Sequence, residues 1–95
     1  MQIKQQELFK NQFKVIFENI AKDKVSAAKK FKKDLFTVIK NIPNMPYKYR
    51  KSYYSADEKV RDMIFRGYTI VYKIYENYIV IVEIFNTNLP KTKYK

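Results

Sequence analysis

The sequence predicts an α+β fold in which a helix pair covers one face of a small antiparallel sheet. Three observations lead there. Between Val60 and Phe85 lie the apolar-rich runs VRDMIF, YTIVYKIY and YIVIVEIF, separated only by Arg66-Gly67 and Glu76-Asn77. Branched and aromatic side chains suit a pleated, half-buried surface, and pairs of residues suffice for hairpin loops, so the runs predict a three-stranded antiparallel meander. Upstream, apolar residues recur at helical spacing in two successive segments. Helices and strands are therefore segregated along the chain rather than alternating, which is the α+β pattern.

The chain opens with a short extended stretch, Met1 to Lys4, whose Met1 and Ile3 share one face; such a strand can add at an edge of the meander. The first helix is predicted from about Gln6 to Lys22, where Phe9, Phe13, Ile16, Phe17 and Ile20 form one stripe and Lys10, Lys14 and Glu18 occupy other faces. Asp23 interrupts it. A second helix starts near Ser26, with Ala28, Phe31, Leu35, Val38, Ile39 and Ile42 on its stripe and Lys29, Lys30, Lys32, Lys33 and Lys40 elsewhere. Pro43 ends this helix, because proline lacks an amide proton and disfavours helix in the residue before it. The short link between the two predicts an antiparallel helix hairpin, with apolar surface left over for the sheet. The segment NMPYKYRKSYYSADEK reads as a loop with a strand near Tyr47 to Tyr53. The resulting order is β-α-α-β-β-β, a single domain over residues 1–95 without internal repeat or flexible linker.

A chain of 95 residues has room for one core, and chains of this size bury roughly 60–65% of their unfolded surface. Cysteine and histidine are both absent. That excludes a disulfide framework, a catalytic thiol, imidazole acid-base chemistry and any zinc site needing those ligands. No cofactor or metal is expected. The apolar runs fall far short of the roughly 20 residues that cross a bilayer, and no signal-like stretch follows Met1, so a cytoplasmic protein without a membrane partner is expected. Twenty Lys and Arg against 9 Asp and Glu give a net charge of +11. Such an excess favours polyanionic partners, with solubility as the plainer reading.

The order and spacing of several residues resemble the RelE/ParE toxin superfamily of bacterial type II toxin–antitoxin systems, also called plasmid stabilisation proteins. The resemblance covers most of the chain. It rests on Asp23, Ala27, Ala28, Phe31, Leu35, Ile39 and Pro43 in the helical half, then on Val60, Arg61, Gly67, Tyr68, Ile70 and Tyr72 in the strands. It implies a growth-inhibiting toxin neutralised by a co-expressed acidic antitoxin. Two targets follow from it: ParE-like members inhibit DNA gyrase, whereas RelE-like members cut messenger RNA on the ribosome. A detoxified basic interaction module is a third reading.

RNA cleavage through the 2′-oxygen needs a base, an acid and positive charge on the phosphate. A histidine-based version is impossible here; the resemblance implies lysine, arginine and tyrosine instead, as in some RelE-like enzymes, which places Lys48, Arg50, Lys51, Arg61, Arg66, Lys91, Lys93 and Tyr94 among the target-binding candidates. Arg61 is the one carried by a matched motif and the catalytic candidate, as a phosphate clamp on the first meander strand. Its structural alternative is an ion pair with Asp62 or Glu83. For Arg66, at a hairpin tip, the alternative is a solvated turn. Tyr47, Tyr49, Tyr53 and Tyr54 interleave with Lys48, Arg50 and Lys51, a pattern able to combine base stacking with phosphate neutralisation, or simply to pack a small core. The KKFKK run of the second helix reads as a solvated face or a binding face. After the last strand, Asn86 and Thr87 stand where the superfamily usually carries His or Arg, which favours gyrase inhibition slightly over cleavage.

Overall fold

The computed structural model describes residues 1–88. Strand β1 (Gln2–Gln5) leads into helix α1 (Glu7–Asp23), then helix α2 (Val25–Asn41). A 3-10 turn over Ile42–Asn44 follows, and the strands are β2 (Arg50–Lys51), β3 (Val60–Phe65), β4 (Tyr68–Ile74) and β5 (Tyr78–Asn86). They form one sheet in the order β1-β5-β4-β3-β2. The α+β class, the helix hairpin and the meander stand as predicted. β1 does sit at an edge, but it runs parallel to β5, with Gln2 opposite Tyr78 and Gln5 opposite Ile81, so the sheet is mixed. Parallel neighbours need a long crossover connection, and the helix hairpin together with β2, β3 and β4 supplies it between β1 and β5.

Lys24 alone links the helices. Its extended backbone breaks the helical run, its amide donates to Ile20 O at 3.1 Å, and its carbonyl accepts Ala28 N–H at 3.2 Å. The two apolar stripes meet through aromatic edges: Phe13 stands perpendicular to Phe36 at 5.3 Å and lies 6.4 Å from Phe31, which in turn meets Tyr68 edge-on at 5.4 Å. Beneath them Leu35, Ile39, Met63, Ile70, Ile81 and Ile84 are buried and complete the core.

Both hairpins turn where expected. Arg66 and Gly67 have φ of 48° and 84°, the pair of positive values that a two-residue type I′ loop requires, and Phe65 faces Tyr68 across it. At the other loop Tyr75 N–H donates to Tyr78 O at 2.9 Å and the two rings stack at 4.7 Å. The β4–β5 register shifts between Val71 and Tyr72, which leaves Val82 without a partner across the ladder and increases the local twist. Beyond Ile81, where β1 has ended, Gln12 of α1 accepts the Ile84 N–H at 2.8 Å, so a helix side chain takes over from the missing strand.

The strand expected near Tyr47 to Tyr53 is only Arg50–Lys51. It pairs antiparallel with Arg61 and Asp62 of β3. Local bonding explains its brevity. The preceding residues are folded into a turn with Lys48 N–H on Met45 O at 3.0 Å; after the strand Ser52 N–H still donates to Val60 O at 2.9 Å, and Tyr53 N–H then donates at 3.1 Å to the Asp62 carboxylate.

Candidate target-binding surface

Alternation along β3 sends Arg61 and Asp62 to opposite faces of the sheet. Arg61 falls in the row Arg61–Tyr72–Ile81, on the helix-covered face but past the reach of the helices. The 45–49 turn covers it instead. Arg61 Nη1 donates to Tyr49 O at 3.1 Å, Nε donates to Glu58 O at 3.0 Å, and the guanidinium lies 4.8 Å from the Tyr47 ring. Neither expected acid is its partner: Asp62 and Glu83 share the opposite face, on either side of Val71. Tyr72 fixes the same turn from below, its hydroxyl donating to Pro46 O at 2.6 Å, while burial pushes its phenol far above the ordinary tyrosine value. The turn is thus held by two side chains projecting from neighbouring strands.

On the other face Arg50 and Asp62 stand opposite each other, 3.6 Å apart at the nearest atoms. The Asp62 side chain is fully buried, and Oδ1 has no hydrogen-bond partner among the described residues. Arg50 also lies over the Tyr53 ring at 3.9 Å, and Tyr53 is 64% exposed. Tyr47 is 53% exposed beside Arg61, and Lys48 lies 5.5 Å over Tyr49. The 47–53 segment therefore presents three consecutive cation–aromatic pairs, each worth about 0.5–1 kcal/mol when exposed. Tyr54 differs: it turns inward and meets Phe85 edge-on at 5.2 Å.

The remaining candidates separate. Lys51 pairs with Glu58 at 3.0 Å, and this bond is the main reason the Glu58 carboxyl is held below the ordinary value. Asp57 is also held low, first by the Lys59 amide and then by Lys73. Both carboxyls, of which Glu58 also feels the Arg61 charge, are thus held below their ordinary values. Arg66 lies well away, in the β3–β4 turn, from which it reaches Asp34 of α2 at 2.7 Å; Lys30 holds the same carboxylate at 3.2 Å. Those two hydrogen bonds, Arg66 first and then Lys30, hold the Asp34 carboxyl below its ordinary value. Lys91, Lys93 and Tyr94 lie outside the described residues. Among the described residues, no group of three His, Cys, Asp or Glu is placed to hold a metal, and no helix is long and apolar enough to cross a membrane.

A second basic surface contains the KKFKK run, which the sequence reads as a solvated or a binding face. Phe17 of α1 and Phe36 of α2 line an open groove of about 630 Å³ together with Lys29, Lys32, Lys33 and Lys40. The lysine run alone shows a charged helix face; the phenylalanine from the other helix becomes its neighbour only when the hairpin closes.

A helix hairpin on a five-stranded sheet with this order is similar to a chain of a solved structure, the chromosomal ParDE TA system from P. aeruginosa. The two share 14% identity with a TM-score of 0.75, over 93% of this chain and 97% of that chain. At that identity the likeness is one of fold. No curated protein matches the chain in sequence. The sequence model of the ParE toxin of type II toxin-antitoxin system, parDE, matches residues 3–88, and the chain belongs to that toxin family.

Proposed function

We propose that this ParE-family toxin inhibits growth by binding DNA gyrase rather than by cutting RNA, and that the Tyr47–Tyr53 edge is its contact surface. The observation that carries this reading is the state of Arg61. Its guanidinium is occupied by two backbone carbonyls and a tyrosine ring, so it acts as a strut under the turn instead of a free phosphate clamp. The nearby acids are depressed in pKa, and Tyr72 is raised, so these groups supply no base or acid poised near neutral pH.

In this reading Lys48, Arg50 and the exposed faces of Tyr47 and Tyr53 meet the target, the tyrosines giving area with little side-chain entropy loss and the cations giving orientation. Fixing the turn in advance through Arg61 and Tyr72 lowers the ordering cost of binding. An acidic antitoxin segment is the matching neutralising partner, since it complements a chain of charge +11.

The test is a pair of assays on purified protein: gyrase supercoiling, and messenger RNA integrity by primer extension in cell-free translation. Blocked supercoiling with intact RNA is the expected result. Cuts within translated codons would establish the ribosome-dependent nuclease instead, and inactivity in both assays would leave a detoxified module. Co-expression of the acidic antitoxin should restore growth.

A further inference from the structure

We propose that the lysine groove of the helix hairpin is a binding site for single-stranded nucleic acid, separate from the Tyr47–Tyr53 edge and independent of whether gyrase is the target. Three observations converge on it. Helix α2 carries five lysines and one aspartate, and that aspartate is already taken by Arg66 and Lys30. Lys29, Lys32, Lys33 and Lys40 take part in no ion pair among the described residues. The positive charge along the groove is therefore uncompensated. Lys29 stands three and four residues before Lys32 and Lys33, positions at which like charges repel on a helix, and no acidic residue offsets them in the first turn of α2. Bound anions relieve that repulsion.

The shape selects among anions. Phe17 and Phe36 both line the groove and are only partly buried, so each leaves part of its side chain open to a ligand. A smaller groove of about 220 Å³ shares Phe17 and Lys32 with the first and adds Lys14, extending the basic path across α1. Thr37 contributes no free donor, because its hydroxyl already bonds Lys33 O at 2.9 Å. Lysines along an aromatic-lined groove are the arrangement that single strands use, with phosphates on the cations and bases against the rings. From Lys29 to Lys40 the helix rises about 16 Å, several nucleotide steps of an extended strand. A duplex keeps its base faces stacked inside and gains nothing from the aromatic lining.

Fluorescence anisotropy of the purified toxin with labelled dT12 and U12 tests this, with a 12-bp duplex and an acidic oligoglutamate peptide as competitors. For about four displaced counterions on a single strand, the slope of log K against log salt is about −3, so binding should weaken about 50-fold between 50 and 200 mM salt. Replacing Lys29, Lys32, Lys33 and Lys40 with Gln together should abolish that slope, and replacing the same four with Arg should preserve it. Phe17→Leu keeps apolar volume but removes the π face, and should weaken binding at least about fivefold. Thermal melts confirm that each variant is folded, and the Arg variant keeps the test decisive should the Gln variant lose structure. Equal binding of dT12 and U12 supports a general single-strand site, and preference for one identifies which nucleic acid it serves. Absence of single-strand binding, a duplex bound as tightly, an unchanged salt slope in a folded Gln variant, or selective binding of the acidic peptide would each overturn the proposal.

Discussion

Arg61→Ala should destabilise the fold, and the size of the loss distinguishes a strut from a free ligand-binding arginine. The substitution removes a part-buried charged hydrogen bond to Tyr49 O, a solvent-exposed one to Glu58 O, and the contact with Tyr47. The first is worth about 1.5 kcal/mol, and the other two about 0.5 kcal/mol each at exposed positions. Alanine recovers some side-chain entropy, which leaves a net cost of about 2 kcal/mol. For a domain of this size that lowers Tm by about 8–16 °C. Arg61→Lys keeps the charge, but one ammonium cannot reproduce a fork bonded in two directions, so about half the loss should remain. Far-UV circular dichroism melts of the three proteins at one concentration measure this directly. An Arg61→Ala protein melting within about 2 °C of wild type would refute the strut and return the guanidinium to the pool of free phosphate ligands.

Three further outcomes are expected. Tyr72→Phe leaves Pro46 O without its donor and should cost about 1–2 kcal/mol, with faster proteolysis at the 45–49 turn; unchanged cleavage there would show that the bond does not hold the turn. Because the Asp34 carboxyl is depressed in the folded state by Arg66 and Lys30, its contribution is present above the unfolded value and is lost as pH falls through the folded one. Wild type should therefore lose more melting temperature than Asp34→Asn between pH 5 and pH 3, and parallel losses would dismiss the pair. Gly67→Ala meets no atom within 4 Å, yet at φ +84 it should cost about 1 kcal/mol through backbone strain alone, read from the denaturation midpoint; a neutral result would contradict the type I′ turn.

What the sequence could reveal was local. The meander was legible because alternation and two turn pairs are short-range signals, and the helices because their stripes repeat within each segment. The parallel pairing of β1 was not, since nothing near Ile3 specifies Ile79 as its partner. At the site, Arg61 stood out by motif, but its partners are backbone carbonyls, which no residue pattern marks. Arg66 looked like a solvated turn because Asp34 is 32 positions away, and Tyr72 gave no hint of reaching Pro46, 26 positions back. The lysine groove was half visible: the charges lie in one run, whereas Phe17 comes from the preceding helix.

The seating of β1 against β5 has a kinetic consequence. Among the described residues the first strand pairs with the last, Gln2 with Tyr78, so this sheet closes by a contact of very long sequence separation. Such contacts require the loop-closure entropy to be met before any bonding rewards it, and they slow folding. During synthesis the helix hairpin can form early, while its aromatic stripe waits for β3 to β5 to emerge. A nascent or prematurely terminated chain lacking β5 has no partner for β1 and no floor beneath α1. Completion of β5 is in this way a condition for the closed sheet, and an unfinished chain is a substrate for proteolysis or aggregation.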